Sequence, residues 1–367
     1  MHYMSHHRSH ASLRKASLSL LILLCLAAFQ VSLPPCGDQR PTTLSQPWAG
    51  ADKLYCLERV IQAGAVGAVG YFQATLADDG SLYAVVPYRG EVHHLLDTDA
   101  DGLPDTARTV LDNLPFPTAI THHNGQLWLG AGESLYRYDI ADATLTPLIE
   151  PSPHRLTGGI ISGLVVGADE RLYAVMNADR ECSSTTSTLT SFDLDGTNRQ
   201  SVIGGLDYGA DLALVGNDLW VAQPEHDQIL QVEIVPPHAE PCPPLLQAEN
   251  TATYHFPAGS APTALAFYPH DTFPNLHQRL LVGLRGNTGE VVIQGYSVVA
   301  LDLAHADGQP LEAVLPRNSP HLGISDQKMT IQGSGIYPHH VYDVVVSAQG
   351  WVYVVVGGGN IYALRPY

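Results

Sequence analysis

Lysine is nearly missing from this chain: three occur in 367 residues, Lys15, Lys53 and Lys328. Acidic residues outnumber Lys and Arg together by 36 to 18, a formal net charge of −18. Nucleic acid and anionic membrane surfaces both select clustered cations, so the balance excludes them as partners. Long apolar runs are missing as well. The stretch Leu18 to Ala28 holds 11 residues, too few to cross a bilayer, so no transmembrane span is expected. Cysteine is sparse, at five, and Cys25 falls inside that apolar stretch. Cys36 with Cys56 and Cys182 with Cys242 are two disulfides the rest allow, but sequence does not fix the pairing.

What the chain does have begins with a leader. Residues 1–17 are basic and His-rich, the apolar stretch follows, and Pro34-Pro35 closes it. This reads as a secretory signal, which makes the mature protein exported: periplasmic, at the cell surface or extracellular. Cys36 after Leu33-Pro34-Pro35 loosely imitates a lipoprotein cleavage box, so a lipid anchor at Cys36 stands beside the disulfide reading. The expected division is a leader over 1–36, a linker over 37–53 and a single domain over 54–367.

That domain repeats one phrase six times, a polar turn feeding a strand. The copies are Asp79-Gly-Ser-Leu-Tyr83, Asn124-Gly-Gln-Leu-Trp128, Asp169-Glu-Arg-Leu-Tyr173, Asn217-Asp-Leu-Trp220, His277-Gln-Arg-Leu-Leu281 and Gln349-Gly-Trp-Val-Tyr353. The first intervals are 45, 45 and 47 residues and the last two stretch to 61 and 72 through insertions. A period of this size marks a propeller or another repeat array. Each turn sits between an apolar strand a and a strand b, and two further short strands, c and d, follow. The pattern predicts an all-β fold, a six-bladed β-propeller of four-stranded antiparallel blades. The sixth unit stops after strand c, and the spare strand Leu54–Ile61 is expected to complete it and close the ring, removing open edges. Tyr83, Trp128, Tyr173, Trp220 and Tyr353 are expected in the packing between blades.

Antiparallel order puts the b–c and d–a loops on one face, where a ligand site built from several blades belongs. The c–d loops fall on the other. One of these, Asp97-Thr-Asp99-Ala-Asp101-Gly102-Leu-Pro-Asp105, alternates carboxylates before a glycine, the spacing with which a tight turn gathers oxygens around calcium. Asp97, Asp99, Asp101 and Asp105 are its candidate ligands, with a role in stapling the blade. The doublets His93-His94, His122-His123 and His339-His340 do not read as metal sites, because strand neighbours point to opposite faces.

Asp97 to Gly102 leading into Arg108-Thr-Val-Leu-Asp-Asn-Leu114, then Phe192-Asp-Leu-Asp-Gly-Thr-Asn198, then Phe256 to Tyr268 with Phe273-Pro274, resembles the soluble quinoprotein sugar dehydrogenases, the glucose and sorbosone dehydrogenase-like propellers. The resemblance runs over roughly residues 54–367. It implies pyrroloquinoline quinone (PQQ) held with calcium on the loop face, and a His that takes a sugar hydroxyl proton as hydride passes to the quinone. Three carboxylates on the cofactor imply Arg or Lys clamps. Carried over by position, the family's His falls at about Gly159, and the nearest His, His154, is the implied base. Arg285, Asn287, Arg180, His339 and His340 are the implied cofactor contacts, and a redox acceptor is the implied partner.

Two functions follow. One is an exported oxidoreductase acting on a sugar or alcohol. The other is a non-catalytic propeller that binds a glycan or protein at the cell surface. A lactonase-like hydrolase would instead need acids converging on a central calcium, for which Asp179, Glu225 and Asp227 are the loop-face candidates. The 303–335 insertion, with Arg317, His321 and Lys328, is expected to fold over the pocket.

Overall fold

The structure, a computed structural model, describes residues 45–49, 54–61, 70–150, 159–177, 187–206, 208–234, 253–286, 295–305, 312–315 and 340–366. They form the six antiparallel sheets that the repeat predicts. Blade 1 consists of Ala74–Leu76, Leu82–Val86, Glu91–Leu96 and Thr106–Leu111, and blades 2 to 5 follow the same order. Blade 6 takes Val341–Val346, Val352–Val356 and Asn360–Pro366 from the end of the chain and Leu54–Ile61 from its start. The ring is closed as expected. Ser45–Ala49, in the stretch expected to be linker, pairs with Leu54–Ile61 as a fifth strand on this blade.

The repeated phrase works as a turn with a left-handed second position. Gly80, Gly125 and Gly350 hold it at φ of 83°, 73° and 77°, and Glu170 and Gln278 adopt 58° at the same place. In the first copy the Asp79 carboxylate accepts from the Ser81 amide at 2.9 Å, tying the turn to its own side chain. Strand b then enters the interior, and in blade 1 all five of its residues are buried.

The core is six apolar clusters, one in each blade-to-blade interface, and not one central mass. Residues alternating along strand b feed the interfaces on either side of the blade: Tyr83 and Val85 face blade 2, and Leu82, Ala84 and Val86 face blade 6. Tyr83, Trp128, Tyr173, Trp220 and Tyr353 are all buried in these interfaces. Among the described residues, no helix is long and apolar enough to cross a membrane.

Candidate functional site

Blades packed side to side leave their first strands around the axis, and the side chains there are polar. Gln73, Asp211 and Asp343 occupy corresponding positions in blades 1, 4 and 6. In each case the next residue pairs with the one following the strand-b aromatic: Ala74 with Ala84, Leu212 with Val221, Val344 with Val354. Blades 2, 3 and 5 contribute Thr118, Ser162 and Thr263 one position earlier. All six are buried.

Each of the last five latches its blade to the next. Thr118 Oγ1 donates to the Ile161 carbonyl at 2.7 Å, Ser162 Oγ to Gly209 at 2.5 Å, and Thr263 Oγ1 to Val341 at 2.9 Å. Asp211 Oδ2 accepts from the Leu265 amide at 2.8 Å, and Asp343 Oδ2 from Ala74 at 2.7 Å. Gln73 crosses the axis, donating to the Ser162 carbonyl at 2.8 Å and to Asp211 Oδ1 at 3.4 Å. Burial pushes the Asp211 carboxyl up to about 7. Burial and then the Asp211 charge raise Asp343 well above the usual carboxylate range. Among the described residues no cation contributes to either group, so burial biases both towards the protonated form. Neither acid was marked as functional by its sequence. The available signal was an acid opening an otherwise apolar strand, Asp211-Leu-Ala-Leu and Asp343-Val-Val-Val.

Next to this ring, on the face of the b–c and d–a loops, opens a cavity of about 300 Å³. Its walls are aromatic: Tyr71, Phe72, Tyr88, Phe116, Tyr208 and Tyr342. Thr118 and Ser162 also line it, so the cavity meets the axial ring. The strand order had assigned a multi-blade ligand site to this face. No Lys or Arg lines the cavity among the described residues.

Of the residues carried over from the resemblance, Arg285 and His340 fall in the described structure and are brought together. His340 Nδ1 donates to the Arg285 carbonyl at 2.8 Å and its ring stacks on Tyr296 at 5.0 Å. Arg285 is felt at the cavity through Tyr208, whose hydroxyl burial raises and the Arg285 charge lowers. His154, Arg180, Asn287 and His339 lie outside the described residues, as do Asp179, Arg317, His321 and Lys328. Gly159, at the family's His position, donates its amide to Glu133 Oε1 at 3.1 Å. A side chain there would overlap that glutamate, 2.7 Å from its Cγ. Asp227 has structural work: its two oxygens accept from Gly259 and Ala261 amides at 2.8 and 2.7 Å, clasping two loops.

On the opposite face the acidic loop brings Asp97, Asp99 and Asp105 together, with one ligand atom of each within 4.8 Å of the others. Asp101 is not part of that trio; its Oδ1 accepts from the Leu103 amide at 2.8 Å. Gly102, at φ 89°, lets the loop bend against blade 6: a Cβ there would lie 2.9 Å from the Trp351 ring. The two His doublets within the described strands behave as strand geometry requires, and His339 of the third lies outside the described residues. His93 faces Tyr71, His94 stacks on Tyr83 at 4.4 Å, and His122 and His123 lie near Asp78 and Glu170 on the acidic-loop face.

No protein-family model matches the chain, and no curated protein matches it significantly. Solved structures do. The PQQ domain of pyranose dehydrogenase from Coprinopsis cinerea superposes with a TM-score of 0.60 at 14% identity, over 90% of this chain and 99% of that one. The soluble aldose sugar dehydrogenase of Escherichia coli gives 0.57 at 12%, over 85% and 99%. A streptogramin B lyase gives 0.51 at 13%, over 85% and 98%. At such identities the likeness establishes the fold, a propeller architecture that includes PQQ-domain sugar dehydrogenases and that also carries lyase chemistry.

Proposed function

We propose that the protein is an exported oxidoreductase-like propeller acting on a sugar or related alcohol, with the mouth cavity as its substrate site. The observation that carries this is the cavity itself, with aromatic walls drawn from several blades and hydroxyls at the ring. Aromatic faces suit the C–H face of a sugar ring and hydroxyls suit its polar edge. The sugar dehydrogenases among the structural neighbours support the reaction class by analogy of fold alone.

The resemblance supplies PQQ as oxidant and His154 as base. The described residues fit a flat ring system and do not fit its three carboxylates. The described lining offers no cation, and Arg285 and His340 stand only at the margin. No step is therefore assigned to the quinone. Holding it would require Arg180, Asn287 and His339 in addition to Arg285. A calorimetric titration of PQQ into the chain with millimolar calcium tests the point. Saturable binding that Arg285→Ala weakens at least tenfold supports the dehydrogenase reading. Absence of heat, with sugars still raising the melting temperature, supports the second reading, a non-catalytic glycan-binding propeller, which the lack of a cation among the described lining residues favours.

We also propose calcium at Asp97, Asp99 and Asp105 as a structural ion joining blade 1 to blade 6 through Trp351. At a hundredfold excess over its dissociation constant, such an ion stabilises the fold by about 2.7 kcal/mol and raises the melting temperature by about 5 °C. Asp97→Asn with Asp99→Asn should abolish the calcium shift in a scanning calorimeter. An equal shift in that variant would remove the site.

A further inference from the structure

Tyr88 and Phe116 are the large apolar side chains left exposed among the described residues, at 89% and 40%, and they stand together at the cavity. Their rings meet edge to face, 5.5 Å apart at 83°. Burying them elsewhere would have been favourable, so what holds them out matters.

The backbone holds them out. Phe116 sits at φ 55°, a left-handed conformation that a bulky residue adopts only when its surroundings impose it. Pro115 and Pro117 flank it, its amide donates to the Leu114 carbonyl at 2.9 Å, and its carbonyl accepts from Gly132 at 3.2 Å. Tyr88 is the middle of a single helical turn, Pro87–Arg89, closed by Gly90 at φ 67°. The two turns are docked by their backbones: Leu114 N donates to the Gly90 carbonyl at 2.9 Å. A Cβ on Gly90 would lie 2.5 Å from the Leu114 oxygen, so only glycine permits this approach. Strain, two prolines and an obligatory glycine converge on presenting two aromatic rings to solvent. That combination marks a binding feature more than a packing accident.

The lining next to the ring indicates what the rings receive. Thr118 and Ser162 have given their hydroxyl hydrogens to backbone carbonyls, and Ser162 Oγ also accepts from Asn177 Nδ2 at 2.7 Å. Both therefore present lone pairs and no proton, and a ligand must bring its own O–H donors. A carboxylate or quinone oxygen finds no donor from them.

We propose that Tyr88 and Phe116 form a preorganised clamp in which one ring stacks on the C–H face of a neutral pyranose and the other, nearly perpendicular, packs against its edge, while the sugar hydroxyls donate to Thr118 and Ser162. The clamp rests on the reading of the mouth cavity as a sugar site and names the ring of the substrate it recognises. Preorganisation lowers the cost of ordering the site, so both rings contribute to affinity without a conformational step.

The test uses the full chain and a panel of D-glucose, D-galactose, D-mannose and their methyl glycosides at up to 100 mM. Saturation-transfer NMR from the protein's aromatic protons should enhance the ring C–H signals of at least one sugar. Tyr88→Ala and Phe116→Ala should each weaken its binding about tenfold, while Tyr88→Phe leaves it unchanged, because stacking needs the ring and not its hydroxyl. Circular dichroism and melting confirm that the variants are folded. Sugar binding that survives both alanine substitutions overturns the clamp and leaves the cavity reading standing. No binding by any sugar in the panel overturns both. PQQ binding that depends on Tyr88 in place of sugar binding would assign the rings to a flat cofactor and likewise overturn the proposal.

Discussion

Replacing Asp211 and Asp343 together by asparagine should flatten a loss of stability that the wild-type chain suffers as pH rises from about 4 to 8. The sign follows from the direction of the shifts. Both carboxyls titrate higher in the fold than in the unfolded chain, because burial and, for Asp343, its neighbour's charge disfavour ionisation. Between the two titrations the folded state holds more protons than the unfolded one, so stability falls as pH rises. A carboxyl that ionises near pH 7 folded and near pH 4 unfolded costs the fold on the order of 4 kcal/mol across that interval. Carboxylates such as Asp79 and Asp195, held low by bonds from Ser81 and Thr197, act in the opposite sense and lose their contribution on acidification. The informative quantity is therefore the difference between variant and wild type, from urea denaturation at pH 4.5, 6, 7 and 8. Each single variant should remove part of the slope and the double variant most of it. A double variant with the wild-type slope would show that neither carboxyl titrates high in the fold.

These two acids also show what sequence conveys and what it withholds. The propeller was legible because one physical constraint recurs: every blade needs a polar turn with a left-handed position, then a strand whose alternate residues fill two interfaces. Tyr83, Trp128 and Tyr173 repeat that constraint at even spacing, so the fold emerges from counting. The axial ring depends on which first-strand residue lands opposite which across the channel. Gln73, Ser162 and Asp211 lie 89 and 138 positions apart and are joined only by closure of the ring. Tyr88 and Phe116 escaped notice for a related reason. Their meaning lies in exposure and in a backbone strain at Phe116 that composition does not display. The acidic loop sits between these cases: spacing indicated the candidate carboxylates, and only the fold shows which three converge and that Trp351 of another blade packs on Gly102.

Glu58→Ala should be among the most damaging single substitutions outside the ring, because it strikes the seam where the two ends of the propeller meet. Leu54–Ile61 pairs with Asn360–Pro366, setting Leu57 opposite Leu364 and Glu58 opposite Ala363. Leu57, Val60 and Ile61 are buried there. Glu58 is fully buried and faces the Arg365 guanidinium with both oxygens, at 3.0 Å from Nη2 and 2.8 Å from Nε. Arg365 in turn lies 5.8 Å over the Trp351 ring, the ring that packs against the acidic loop. Removing the carboxylate leaves a partly buried guanidinium without its partner, which costs about 3 kcal/mol. Glu58→Gln keeps one hydrogen bond to the cation and should cost roughly half of that. The pair itself need not be strongly stabilising, since two charges give up their hydration to form it. Glu58→Leu combined with Arg365→Met should therefore recover most of the loss, as apolar replacements of buried ion pairs do. Urea midpoints of the singles and the double decide the matter. Strictly additive losses would mean that Glu58 and Arg365 contribute to the seam separately, and that closure rests on strand pairing and the apolar contacts of Leu57, Val60 and Ile61 alone.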